Sequence, residues 1–215
     1  MKIISINVGL PRKVMWQDNE VETAIFKEPI KGKIKINKLN LEGDQQADLS
    51  VHGGINKAVY AYSAEYYMFW KNELPNTKFP YGAFGENLTT LGLNENNVNI
   101  GDIFQIGTAK LMAVQPRLPC YKLGVRFQRL DMIKRFLESK RAGIYFKVIE
   151  EGETAHLDEI KLIKEDENAV KISEITRLFA FDKNDLESLI KIVKVEALPE
   201  SWKTYFQHRI DKLSK

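Results

Sequence analysis

The sequence predicts a mainly β (α+β) protein. A strand-rich region with a barrel-like or folded sheet spans residues 1–162, and a small three-helix appendage spans residues 168–213. Three observations carry this. Short alternating apolar segments follow one another closely, with only brief helices between them, which disfavours repeated βα units. The charge-rich run Lys164-Glu165-Asp166-Glu167-Asn168 reads as a linker. After it the apolar spacing switches from strand period to helix period.

In chain order, Ile4, Ile6 and Val8 alternate like a half-buried strand. Ile34, Ile36, Leu39 and Leu41 do the same after a glycine. Val59-Tyr60-Ala61-Tyr62 reads as a strand, and Ser63 as the N-cap of a helix through Trp70. Ile103–Ile106 and Leu111–Val114 form an expected hairpin around Gly107-Thr108. Asp131 is a candidate cap for a helix through Leu137, and Gly143–Ile149 returns to strand. In the tail, Ile172, Ile175, Leu178 and Phe179 have helical spacing. Asp185 opens a second helix with Leu186, Leu189, Ile190 and Val193; Pro199 and Glu200 open a third with Trp202, Phe206 and Ile210. The apolar faces of these helices are expected to pack on one another.

Composition excludes several classes. Of 215 residues, 44% are hydrophobic and 28% charged, an ordinary globular balance. No apolar run approaches a membrane span, and the N-terminus lacks the apolar stretch of a signal peptide. One cysteine forms no internal disulfide, no four-cysteine zinc site and no iron–sulfur cluster, and suits a reducing cytoplasm. A net charge of +3 is too weak to argue for nucleic acid, and the tail mixes acids with bases.

The stretch Gln115-Pro116-Arg117-Leu118-Pro119-Cys120-Tyr121-Lys122-Leu123 is the most suggestive. Its prolines should keep it out of central strands and helix interiors. Arg117 and Lys122 flank the only cysteine, and nearby cations favour the thiolate, the form that attacks or binds metal. Arg117 can also hold a phosphate or carboxylate through parallel hydrogen bonds. A buried cysteine acting as a small hydrophobe is the competing reading. Around Gly43-Asp44 and His52-Gly53-Gly54, backbone N–H groups can form an anion-binding concavity, with Lys57 adding charge and His52 able to pass protons. Gly82-Ala83-Phe84-Gly85-Glu86-Asn87 is a third polar turn, in which Asn87 carries both donor and acceptor for a heterocycle edge. Taken alone, a polar turn with a solvated histidine is the better reading of the first segment, and the signal of the second is weak. His156 and His208 read as surface residues, and the aromatic run Tyr60 to Trp70 as core. No Walker, Rossmann, Ser-His-Asp or HExxH pattern is present.

Together, GDQQADLSVHGGINKAVYAY, GAFGENLTTLGL, IGDIFQIGTAKLMAVQPRLPCYKL and RAGIYFKVIEEG resemble the MOSC family. The tail, with Ile175-Thr176-Arg177-Leu178, Phe181–Leu186 and Ala197–Trp202, resembles the three-α-helix domain of its YiiM-like branch. The resemblance implies a barrel-containing fold that binds a pterin-based molybdenum cofactor (molybdopterin), with Cys120 as metal ligand. It implies catalytic roles for Cys120 and His52, and cofactor contacts from His52, Gly53, Lys57, Gly85, Glu86, Asn87, Arg117 and Cys120. The implied activity is reduction of N-hydroxylated compounds, such as N-hydroxylated purine bases. The electrons would come from a separate flavin- or iron–sulfur-containing reductase. The alternative is a cofactor or sulfur carrier using a Cys120 persulfide. Oligomeric state stays open, a homodimer among the options. Two departures stand out: Tyr121 where tryptophan is common, and His156-Leu157-Asp158 where a small residue and glycine often precede the aspartate.

Overall fold

The computed structural model describes residues 1–47 and 53–214. Its main sheet contains β1 (Lys2–Val8), β4 (Glu28–Pro29), β6 (Val59–Ser63), β7 (Leu88–Leu91), β8 (Ile103–Ile106), β9 (Ala109–Pro116), β10 (Ile144–Glu150) and β12 (Ile160–Lys164). The order is β12-β8-β9-β10-β6-β7-β1-β4, antiparallel except for the parallel β6–β7 pair. The start of β1, next to last in this order, also meets the start of β12. A bridge joins Lys2 to Glu159, and the Ile3 and Ile160 amides donate to Asp158 and Met1 at 3.0 and 2.8 Å. Two further ribbons are β2 (Arg12–Trp16) with β3 (Asn19–Thr23), and β5 (Lys33–Ile36) with β11 (Gly152–Ala155).

The mainly β expectation holds, with instructive differences in detail. In β1 the inward apolar residues are Ile3 and Ile6, not an Ile4-Ile6-Val8 face. A register shift between Ile3 and Ser5 explains this, because one inserted residue flips every side chain beyond it. Ser63 ends β6 instead of capping a helix, and its hydroxyl donates to Glu65; α1 (Tyr66–Glu73) starts after Glu65. Asp131 does precede α3 (Met132–Glu138), but its carboxylate holds Arg129 and Arg135 and caps nothing. Leu157 takes φ +69° beside Asp158, whose Oδ2 accepts from the Ala155 amide at 2.8 Å. The turn therefore forms without the usual glycine.

Gly107 sits in the tight β8–β9 turn with φ +59°. A Cβ there would lie 2.1 Å from the Glu153 carbonyl oxygen. Gly107→Ala is therefore expected to cost more than about 1 kcal/mol, since neither the backbone angle nor the space suits alanine. Urea melts of the two proteins check this.

After β12 come α4 (Ile172–Thr176), continued by a π turn at Arg177–Phe181, then α5 (Leu186–Val193) and α6 (Glu200–Leu213). Asp185 caps α5 through the Ser188 amide at 3.1 Å. The charged run before them is pinned down. The Asp166 amide donates to Asp102 Oδ1 at 2.9 Å, and Asn99 Nδ2 to Glu165 at 3.3 Å. The helices pack on one another and also share a buried cluster with the sheet, in which Ile172, Leu189 and Phe206 join Ile3, Phe104 and Phe146. A second, aromatic cluster gathers Tyr62, Tyr67, Trp70, Phe84 and Phe136. Trp70 Nε1 donates to the Tyr62 hydroxyl at 2.6 Å, satisfying the one polar atom of a fully buried indole.

Candidate functional site

The prolines of the cysteine stretch act at a junction. β9 lies between β8 and β10, and Pro116 is its last residue, where a missing N–H is tolerated best. The expectation that Gln115 and Pro116 avoid a central strand is thus corrected. Beyond Pro119, α2 (Tyr121–Phe127) begins, with Cys120 at its N-cap position in extended conformation. The strand end and helix start set Arg117, Cys120 and Lys122 around one cleft of about 500 Å³.

Other elements complete the cleft. Lys57 comes from the turn before β6, Gly85 and Asn87 from the loop before β7, and Lys27 and Asp44 from loops beside β1. Phe179, Ser201, Trp202 and Tyr205 come from the C-terminal helices. Of the residues implied by resemblance, Lys57, Gly85, Asn87, Arg117 and Cys120 line the cleft, whereas Gly53 and Glu86 do not. His52 lies outside the described residues.

Glu86 has a different task. It is fully buried, and its carboxylate accepts from the Gly82 amide at 2.9 Å, the Phe84 amide at 3.1 Å, Thr89 Oγ1 at 2.9 Å and the Tyr67 hydroxyl. Burial lifts its pKa above the usual carboxylate range, opposed by these donors. It ties the glycine loop to itself and to α1. Asn87 is also committed. Its Oδ1 accepts from the Tyr60 amide at 3.1 Å, and its Nδ2 donates to Asp44 Oδ2 at 2.8 Å. These bonds hold the Asn87 amide at the edge of the cleft that it lines. Asp44 is held by the Gly9 amide at 2.9 Å and forms a buried ion pair with Lys27. Burial lowers the Lys27 pKa, and Asp44 pulls it back up.

The cations are arranged otherwise. Arg117 is buried; it donates to the Phe84 carbonyl and sits 5.2 Å over the Tyr60 ring and 5.7 Å over Phe136. Among the described residues no carboxylate lies in ion-pair range of Arg117 or of the buried Lys122. Cys120 is half-buried and within electrostatic reach of Lys57, Arg117 and Tyr145. Burial lowers the Lys57 pKa, against the pull of Cys120. Burial likewise raises the Tyr60 and Tyr145 phenols, so both stay neutral beside Arg117. Among the described residues the cleft thus combines one thiol with an excess of positive charge, an arrangement suited to an anionic ligand that brings a soft metal.

Comparison with known proteins agrees with this fold. The MOSC domain family matches residues 48–165, and the YiiM-like 3-alpha helix domain matches residues 172–213. The chain belongs to the MOSC domain family. It is 37% identical over 211 residues to YflK of Bacillus subtilis, covering 98% of this chain and 95% of that protein. It is 34% identical over 189 residues to YiiM of Escherichia coli, covering 87% and 84%. The crystal structure of YiiM from Geobacillus stearothermophilus superposes with a TM-score of 0.81 at 32% identity, covering 97% of this chain and 98% of that one. A Gibberella moniliformis protein named reductase is 36% identical over 148 residues, which is 67% of this chain but 26% of that protein.

Sequence reasoning within this MOSC chain missed Lys27 and the aromatic residues of the C-terminal helices. An isolated lysine in Phe26-Lys27-Glu28-Pro29 carries no signal. Trp202 was readable as an inward position of α6, but not as the border of a cleft. No helix of the described residues is long and apolar enough to cross a membrane.

Proposed function

We propose that this MOSC protein binds a molybdenum cofactor and reduces N-hydroxylated compounds. The observation that carries the reading is the Cys120 thiol sharing a cleft with Arg117 and Lys122, buried cations that lack a carboxylate among the described residues. A buried cation without a counter-ion favours an anion beside it, and a phosphate-bearing pterin supplies one. Among the described residues no group of three His, Cys, Asp or Glu side chains could cage a metal ion. The protein would therefore contribute a single soft thiolate, the other ligands belonging to the cofactor.

Bound there, the cofactor supplies a two-electron couple, for the balance R–NHOH + 2e⁻ + 2H⁺ → R–NH₂ + H₂O. The chain's residues do the rest. Cys120 would hold the metal end. Lys57 and Lys122, which line the cleft, would face the anionic portion, while the Phe84 carbonyl and the Tyr60 ring hold the Arg117 guanidinium. The positive φ of Gly85, +76°, carries the loop past Ile25, where a Cβ would sit 3.0 Å from Cγ1. The electrons come from a separate flavin- or iron–sulfur-containing reductase, and a reducing cytoplasm suits a chain with a single cysteine. The reductase name of the Gibberella relative is consistent with this chemistry.

Metal analysis of protein made in a host that synthesises the cofactor tests the reading. Stoichiometric molybdenum, released together with a pterin on denaturation, is expected. Protein without molybdenum sinks the proposal, and a thiol-bound sulfur in its place would point to the carrier role.

A further inference from the structure

The C-terminal helices contribute more than a brace. Phe179, Trp202 and Tyr205 all line the cleft that holds Cys120. Their rings form one cluster: Phe179–Trp202 at 5.6 Å, Phe179–Tyr205 at 5.5 Å and Trp202–Tyr205 at 5.9 Å between centroids. Trp202 is held in place from the sheet. Its Nε1 donates to Gln115 Oε1 at 2.8 Å, and Gln115 Nε2 donates to the Asn56 carbonyl at 2.9 Å. Gln115 lies on β9, two residues before Arg117, so the indole is registered to the strand that leads to the cysteine. Tyr205 stays 37% exposed although it belongs to the cluster, which leaves aromatic surface available at the cleft.

The aromatic residues on the sheet side of the cleft are held against Arg117 and one another. Tyr60 packs on Tyr145 at 5.0 Å, lies under Arg117 and donates to the Ala142 carbonyl at 2.9 Å. The side chains that the C-terminal helices bring to the cleft, Phe179, Ser201, Trp202 and Tyr205, carry no charge. Trp202 is buried and stacks on Phe206 at 5.3 Å, and the Tyr205 hydroxyl accepts from Arg209 at 3.0 Å, so Phe179 and Tyr205 supply the open ring surface. This helical wall cannot neutralise a phosphate, which the cationic residues of the sheet region can. What it can do is stack on a flat ring, an interaction that tolerates any heterocycle with a π face.

We infer that Phe179, Trp202 and Tyr205 form the substrate-discriminating wall of the cleft. They take a flat aromatic or heteroaromatic ring and so favour aromatic over aliphatic N-hydroxylated substrates. The inference rests on the reductase reading of the same cleft. It assigns to the YiiM-like helical segment the choice of substrate, and to the MOSC region the cofactor.

N-phenylhydroxylamine and N-cyclohexylhydroxylamine share a six-membered ring and a reactive group and differ in flatness. The molybdenum-loaded protein is expected to prefer the phenyl compound in kcat/KM. Phe179→Leu/Tyr205→Leu should shrink that preference about tenfold, the scale of one lost stacking contact, with molybdenum content unchanged. A readout independent of turnover is adenine binding by calorimetry, which should weaken about tenfold in the same variant. Tyr205→Leu alone, at a partly exposed position, serves if the double variant fails to fold. An unchanged preference together with unchanged adenine binding overturns the inference. So does loss of pterin and molybdenum with the preference intact, because the wall would then hold the cofactor. If neither hydroxylamine is reduced by wild type, the reductase reading fails. The wall is then judged on adenine alone: weakened binding in the variant upholds it, equal or absent binding overturns it.

Discussion

Asp44→Ala is expected to destabilise the protein by roughly 3–5 kcal/mol, the range for removing one partner of a buried ion pair. Asp44 is 1% exposed and Lys27 8%. The change would strand several donors at one place: the Lys27 ammonium, the Gly9 amide and Asn87 Nδ2. Each buried donor left unmade costs about 1–3 kcal/mol on its own. Both residues border the cleft, so water can reach part of the damage, and the sum should stay below full additivity. The loss should depend on pH. Burial already lowers the Lys27 pKa below 10.5, and Asp44 is the first of the groups opposing that. Without Asp44 the folded-state value drops further, so the unfolded chain binds the extra proton. Stability of the variant then rises with pH through the window below 10.5, and its deficit relative to wild type narrows. Urea melts near pH 7 and about pH 9 measure both effects. A deficit under about 1 kcal/mol, or one that widens at high pH, would show that Asp44 does not hold this junction together.

The same junction marks the limit of what the sequence discloses. Lys27 and Asp44 are 17 residues apart on separate loops, and no periodicity or motif joins them. The β2–β3 hairpin was equally hidden. Its strands are largely exposed, and its turn uses Gln17 and Asp18 at φ +48° and +62° where an Asn-Gly or Asp-Gly pair would announce itself. By contrast, the β8–β9 hairpin was readable, because Gly107-Thr108 separates two apolar segments. The tail helices were readable from their spacing and from the Asp185 cap. At the site, Lys57, Arg117 and Cys120, far apart in sequence, line one cleft. Glu86 misled for a physical reason. A carboxylate beside glycines resembles a ligand group, yet the freed amides of Gly82 and Phe84 turn onto that carboxylate itself. The loop satisfies its own charge and presents little of it to the cleft. The helical tail was read as packing on itself, and its second surface, against the sheet and the cleft, needed the tertiary fold to appear.

Cys120→Ser is expected to abolish reductase activity and lower molybdenum content without lowering the melting temperature. Serine is nearly isosteric with cysteine, but its hydroxyl is harder and far less acidic, so it replaces a soft metal ligand poorly. The position itself should accept serine well. Cys120 is half-buried and makes no side-chain cap bond to α2, although it stands at the N-cap with an extended backbone. Serine is a preferred N-cap, able to accept from an early helix amide, and a gain of about 0.5–1 kcal/mol is reasonable there. Loss of activity and equal or greater stability should therefore appear together. A cysteine acting only as a small hydrophobe predicts the reverse, a lower melting temperature with activity per folded molecule retained. A sulfur carrier predicts a third pattern, in which wild type lacks molybdenum-dependent reduction and a thiol-bound sulfur disappears in the variant. Calorimetric melting, metal content and turnover on the same preparations separate these outcomes. Full reductase activity in metallated Cys120→Ser would remove the thiolate from the mechanism, and the positive cleft would have to hold its cofactor through Lys57, Arg117 and Lys122 alone.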